Sequence, residues 1–203
     1  MISITISFYT AFGIYQSLHL QNNDRVLIRA TTSGVGVAIL KLMKASGLNL
    51  TVAGTTRSNQ KDQALQDLGL DQIIHTPDAN QLPESSGSFD KIIDLVGPSA
   101  LRDSLSHLAE FGIVSATGKL GGVWTLDDFD PVADIPNNRY LTGFSSASVD
   151  EKHVDDLFNF IVEHQVAVRP EAVFSLPDVR KAHEYLEGKN SLGKVVVLPW
   201  GDR

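Results

Sequence analysis

The sequence contains no cysteine. That removes disulfide scaffolds, thiolate nucleophiles and cysteine-ligated zinc in one step. Histidine does not stand in as a metal ligand: His19, His75, His107, His153, His164 and His183 show neither an HExxH pair nor any other paired ligand spacing. Positive charge is short as well. Against 24 Asp and Glu there are 17 Lys and Arg, a net charge of −7, which leaves no electrostatic basis for binding nucleic acid or an anionic membrane. No apolar run approaches the ~20 residues of a membrane-spanning helix. The opening MISITISFYT lacks the basic and continuous apolar regions of a secretory signal. Linkers, repeats and low-complexity stretches are missing too. With 42% hydrophobic and 20% charged residues over 203 positions, the chain reads as one soluble, cytoplasmic, metal-free domain with a substantial core.

What is present centres on Arg25 to Lys44, RVLIRATTSGVGVAILKLMK. Val26, Leu27 and Ile28 form a short apolar strand, and Ala30 to Gly36 is a turn of small residues. Val35, Ala38, Ile39, Leu42 and Met43 then recur at the spacing of one buried helix face. Strand, glycine turn and helix together aim bare backbone N–H groups and a helix N-terminus at an anion, usually phosphate. The spacing is not the plain GxGxxG fingerprint, because Thr31 and Ser33 stand where glycines could be and only Gly34 and Gly36 remain. Alone, the turn fits a phosphate cradle built from Thr32, Ser33, Gly34, Val35 and Gly36 as well as it fits an ordinary strand-to-helix connection.

The rest of the chain alternates strands with helices. Residues 2–8 alternate apolar and hydroxyl side chains as a strand does, and Tyr9 to Leu20 reads as a helix. Further strands are expected at Leu48–Thr55, Gln72–His75, Phe89–Val96, Phe111–Thr117 and Tyr140–Phe144. Ser58 reads as the N-cap of a helix carrying Ala64, Leu65 and Leu68. Gly97-Pro98 opens a helix with Leu101, Leu105 and Leu108 on its face. Ser148 and Glu151 make a capping box ahead of Val154, Leu157, Phe158, Ile161 and Val162. A strand at Val173–Leu176, a helix opened by Pro177-Asp178 and a strand at Lys194–Leu198 close the chain. This rhythm predicts an α/β, doubly wound, six-stranded parallel Rossmann sheet of order 3-2-1-4-5-6 with helices on both faces. Its ligand crevice lies between the first and fourth strands.

In such a sheet the residue that reads the ribose stands about 20 positions past the glycine turn, and it is acidic for NAD. Here the positions are Gly54-Thr55-Thr56-Arg57-Ser58, with the nearest acid at Asp62. An Arg among small hydroxyls suits a 2′-phosphate. Lys61, expected in the first turn of a helix, opposes the macrodipole at a cost of roughly 0.3–1 kcal/mol unless an anion sits there. The preferred ligand is therefore NADP(H), with Thr55, Thr56, Arg57, Ser58 and Lys61 around the 2′-phosphate; the competing reading is a pair of solvated surface cations. Val96 and Gly97, after the fourth strand, line the adenosine or ribose side of the crevice, while Asp94 serves equally as a strand-end cap. Gly118, Lys119 and Leu120 after the fifth strand, and Phe144 after the sixth, reach the nicotinamide end; an uncommitted glycine loop explains them as well. His75, His107 and His183 read as structural. Tyr185 to Lys189 matches YxxxK, but Gly188 ends the helix between the two, so the match is coincidental.

These stretches resemble the medium-chain dehydrogenase/reductases, in their zinc-independent quinone oxidoreductase branch. The residues that carry the resemblance are Tyr9-Thr10-Ala11-Phe12-Gly13, Asp24-Arg25-Val26-Leu27-Ile28 into Ser33-Gly34-Val35-Gly36-Val37-Ala38, Thr55-Thr56-Arg57-Ser58 with Lys61 and Leu68-Gly69, Phe89 to Gly97, Gly112-Ile113-Val114, Ala182-His183-Glu184-Tyr185-Leu186 and Gly193-Lys194-Val195-Val196. The resemblance implies NADPH-dependent hydride transfer to a quinone or other activated carbonyl or enone, and a nucleotide-binding half without the family's N-terminal GroES-like catalytic domain. A non-catalytic NADP(H)-binding module or sensor is the alternative. The implied division is 1–23, an N-terminal segment and hinge helix; 24–172, the nucleotide-binding domain; and 173–203, a tail that in the family packs on the GroES-like domain. Strand Lys194–Leu198 is then an unpaired edge, and a homo-oligomer is expected through it or through the sixth strand. No residue stands out as a general acid.

Overall fold

A computed structural model describes residues 5–188 and 191–200. It opens on helix α1 (Thr5–Ser17). The alternation over residues 2–8 predicts a strand, but Thr5 to Phe8 are helical, and residues 2–4 lie outside the described residues. Burial decides it: Phe8, Tyr9, Ala11, Phe12 and Ile14 are all buried. A helix can bury neighbours on several sides at once when other helices cover it, as the α2 and α6 helices below do.

The turn region folds as read. β1 (Arg25–Arg29) leads through the small-residue turn to α2 (Gly34–Ala45). More than the expected face of α2 is buried, Val37 and Leu40 included, because α1 packs along its outer side. β2 (Thr51–Thr56), α3 (Asp62–Asp67) and β3 (Gln72–His75) complete the first half. Ser58 caps no α-helix; it precedes a 3-10 turn, Asn59–Lys61, and makes no side-chain capping bond. Lys61 consequently ends that turn, immediately before α3.

The second half contains β4 (Phe89–Asp94), α4 (Pro98–Ser106), β5 (Leu108–Ala116), the single turn α5 (Pro131–Asp134), β6 (Tyr140–Thr142) and α6 (Glu151–Glu163). Leu108 starts β5 rather than continuing α4. Asp150, not Ser148, holds the N-cap position of α6. Leu157 and Ile161 are buried there, whereas Phe158 and Val162 face solvent. The six strands are all parallel, in the order β3-β2-β1-β4-β5-β6. Strands covered on both faces read as apolar runs, and β1 shows why. Val26 and Ile28 enter a core shared with α1, α2 and α6, while Leu27 enters the opposite one with Ile92, Leu101 and Leu105.

The tail forms its own βαβ unit: β7 (Ala172–Ser175), α7 (Val179–Glu187) and β8 (Val195–Leu198), with β7 and β8 paired in parallel. The last strand is therefore not an unpaired strand.

The main sheet's crevice is tied together by one buried cation. Arg29, fully buried, donates from Nη1 to Asp103 Oδ2 (2.6 Å) and Ser104 Oγ (2.9 Å), and from Nη2 to the Ala79 carbonyl (2.8 Å). Ser104 Oγ donates onward to Asp94 Oδ2 (2.7 Å), whose Oδ1 accepts from the Val96 and Gly97 N–H groups. Burial pushes the Asp94 carboxyl above the usual carboxylate range, and the Gly97 and Ser104 hydrogen bonds and the Arg29 charge pull it back. Removing one partner of a buried charge network costs about 3–5 kcal/mol, because the others stay buried without compensation. Arg29→Leu should therefore lower urea-unfolding stability by about that amount. A loss below about 1 kcal/mol contradicts the network's role.

Candidate functional site

Two threonines shape the glycine turn from inside. Thr31 is fully buried and donates from Oγ1 to the Ile28 carbonyl (2.8 Å). Thr55 Oγ1 accepts from Ala30 N–H (2.9 Å), and its carbonyl accepts from Thr31 N–H (3.2 Å). Ser33 is the N-cap of α2, its hydroxyl accepting from Gly36 N–H (3.1 Å), and the first turn of α2 carries no acid. At Gly36 a β-carbon would lie 2.5 Å from the Thr31 carbonyl oxygen, so only glycine lets the helix start this close to the turn. The result is an N-terminus whose dipole and N–H groups favour an anion.

Beside it lies a cavity of about 360 Å³ at the carboxyl ends of β1, β4 and β5. Of the residues expected at a cofactor, the structure brings Ser33, Gly34, Val35, Gly118, Lys119 and Leu120 to its wall, together with Leu95 and Thr117. Others on the wall escaped the sequence reading: Ser7 and Thr10 from α1, and Leu186, Gly193, Lys194 and Val195 from the tail. The sequence signal for the tail is the pair Gly193-Lys194, a glycine followed by a cation, and that glycine has φ +97°. Among the described residues the wall holds two lysines, Lys119 and Lys194, and no carboxylate, in a chain of net charge −7. Lys119 Nζ lies 4.7 Å from the centroid of the Trp124 ring.

The remaining expected residues lie off the wall. The Thr32 carbonyl accepts from Gly193 N–H (3.0 Å), which fastens the tail to the turn. Val96 and Gly97 give their N–H groups to Asp94, and Thr56 Oγ1 donates to the Ser58 carbonyl (3.2 Å). Phe144 turns away to α1, 5.8 Å from the Tyr9 ring centroid and close against Gly13. Arg57 is exposed just past β2, and Lys61 donates from Nζ to the Ser191 carbonyl. Partial burial lowers the Lys61 pKa, nearby Glu171 raises it, and Arg57 lowers it again, so the two cations feel one another.

Other candidates are structural. His75 Nε2 sits 3.0 Å from the Asp62 carboxylate, and Asp94 belongs to the Arg29 network. Tyr185 donates to Glu171 Oε1 (2.7 Å) and α7 ends at Glu187; Lys189, the other half of YxxxK, lies outside the described residues. Among the described residues no group of three or more His, Cys, Asp or Glu could hold a metal ion, and no helix is long and apolar enough to cross a membrane.

A parallel sheet in this order, with a glycine turn and an acid-free cavity at the strand ends, defines a nucleotide-binding class of α/β domain. Comparison with known proteins narrows the class. The family model described as zinc-binding dehydrogenase matches residues 68–197. The chain belongs to this family, within the medium-chain dehydrogenase/reductase superfamily, and covers its nucleotide-binding half. The 2-haloacrylate reductase of Burkholderia sp is 27% identical over 202 residues, 92% of this chain and 59% of that protein. The chain thus spans little more than half the length of that curated relative. Among solved structures, the quinone oxidoreductase from Coxiella burnetii superposes with a TM-score of 0.75 at 24% identity, over 98% of this chain and 60% of the other. The yhdH oxidoreductase from Salmonella enterica in complex with NADP gives 0.80 at 21% identity, over 98% and 63%. These likenesses show the fold.

Gly36→Ala drives a methyl group into the backbone of the turn, and overpacking of this kind costs about 1–3 kcal/mol. Its thermal midpoint should fall by several degrees. An unchanged midpoint contradicts the close approach at Gly36.

Proposed function

We propose that the chain binds NADP(H) and acts as the nucleotide-binding half of an oxidoreductase. The observation that carries this reading is the acid-free cavity with Lys119 and Lys194 on its wall, built on the N-terminus of α2, with Arg57 and Lys61 beyond β2. Two further facts support it: the Burkholderia relative is named a reductase, and the Salmonella neighbour was solved with NADP.

The donor set fits the cofactor's anions. Ser33, Gly34 and Val35, with Lys194 from the tail, would hold the pyrophosphate. Arg57, Ser58 and Lys61 would hold the 2′-phosphate, Arg57 as a planar fork and Lys61 as a point charge. Val96 and Gly97 lie toward the ribose, and Thr117 to Leu120 toward the nicotinamide. Thr32, Gly36, Thr55, Thr56 and Phe144 shape the site from behind, through the contacts described above. When bound, the reduced nicotinamide supplies a hydride. The chain contributes orientation, exclusion of water by Leu95, Leu120 and Val195, and the Lys119 ammonium as a donor to a developing oxyanion.

The acceptor we propose is a quinone or another activated carbonyl or enone. Leu120 and Trp124 are 63% and 70% exposed at that end, which fits a second wall supplied by a GroES-like domain or by another copy of the chain. A second reading, a non-catalytic module or sensor, draws on the cavity wall having no His, Tyr, Asp or Glu among the described residues.

Fluorescence titration tests the binding claim. NADPH should bind at least about tenfold more tightly than NADH. Lys61→Ala and Arg57→Ala should each weaken NADPH by about tenfold and leave NADH unchanged, as loss of a charge-assisted contact predicts. Equal affinity for the two nucleotides contradicts the assignment. NADPH oxidation with a small quinone separates the readings: turnover supports the oxidoreductase, and binding without turnover supports the module.

A further inference from the structure

The tail crosses the proposed site as a strap, residues 191–194, and one side chain fastens it. Glu171, just before β7, accepts at Oε1 from Tyr185 Oη (2.7 Å) and at Oε2 from Leu192 N–H, and its own N–H donates to the Lys194 carbonyl (2.8 Å). The hydrogen bond to Glu171 holds the Tyr185 hydroxyl above its usual range. The fastened strap touches the proposed cofactor site at two places, the pyrophosphate turn and the 2′-phosphate cations. Gly193 N–H donates to the Thr32 carbonyl at the glycine turn, and the Ser191 carbonyl accepts from Lys61 Nζ. Lys61, read above as a receiver of the 2′-phosphate, therefore has two oxygen competitors from its own chain: the Ser191 carbonyl in contact and the Glu171 carboxylate nearby.

We propose that Glu171 limits the preference for NADPH over NADH that Arg57 and Lys61 confer, by pinning the strap against Lys61 and placing a like charge beside the 2′-phosphate position. The inference rests on the NADP(H) reading. A carboxylate near the ammonium offsets part of the attraction for phosphate, and it repels the phosphate itself. NADH carries no 2′-phosphate and is indifferent to both effects. Glu171 is a positioning residue, because it acts through Lys61 and the strap.

Glu171→Gln separates charge from fastening. The amide can still accept from Leu192 N–H while its NH2 donates to the Tyr185 oxygen, so the strap stays while the negative charge goes. Expected is NADPH binding tighter by about three- to tenfold, NADH within about twofold of the parent, and a gain that shrinks as salt rises from 50 to 500 mM. Glu171→Ala loses fastening as well as charge, so NADH also weakens, through Gly193 and Lys194. A Glu171→Gln protein in which NADPH and NADH move by the same factor, or in which neither moves, overturns the inference while leaving the NADP(H) reading intact. Equal affinity in the unaltered chain, or no binding, overturns both.

Discussion

Everything around the crevice depends on how the paired ends of β1 and β4 are tied to α4, and the Arg29 guanidinium does that from inside. It stands on the last residue of β1 and reaches the carbonyl of Ala79, the carboxylate of Asp103 and the hydroxyl of Ser104. Ser104 and Asp94 carry the tie to the last residue of β4 and to the N–H groups that open α4. A buried ion network is seldom a net gain in stability, because desolvation is costly. Its return is geometric: a planar cation with several donors fixes two strand ends and a helix in one arrangement. The crevice between the first and fourth strands inherits that rigidity.

On this frame the proposed handling of an anion is divided among three elements distant in sequence. The turn before α2 contributes backbone N–H groups and a dipole, braced by Thr31 and Thr55. The loop past β2 contributes Arg57 and Lys61. The strap contributes Lys194 and, through Gly193, its own attachment to the turn. None of the three has the full donor set for a dinucleotide. Lys119 and Lys194 put positive charge on the cavity wall, and Arg57 and Lys61 stand off that wall past β2, in a molecule that is acidic overall.

Sequence showed the sheet clearly because its strands are covered on both faces and its connections are short. Val26-Leu27-Ile28 and Ile92-Ile93 are apolar whichever face they present, and the turns between them carry glycine or proline where the chain must bend. Residues 5–8 belong to α1 rather than a strand because an alternation of apolar and hydroxyl side chains satisfies a strand as well as a helix surrounded by other helices. The glycine turn and the loop after β5 reached the cavity wall as expected, since the sheet order alone puts them there. The strap was out of reach: Lys61 and Ser191 are 130 positions apart, and Gly193 meets Thr32 across a similar span. Such contacts follow from how the tail packs, which no local period encodes. Phe144 shows the reverse case, a residue placed correctly at a strand end whose ring fills the space left by Gly13.

On the proposed function, one nucleotide engages the glycine turn, the Arg57–Lys61 loop and the strap together. Hydrogen exchange of the full chain, read by mass spectrometry with and without saturating NADPH, locates that engagement directly. Slower exchange is expected in three separated segments, 31–37, 56–62 and 191–195, with the rest of the sheet little changed. Protection confined to other segments, or none at any of the three under saturating nucleotide, would contradict it.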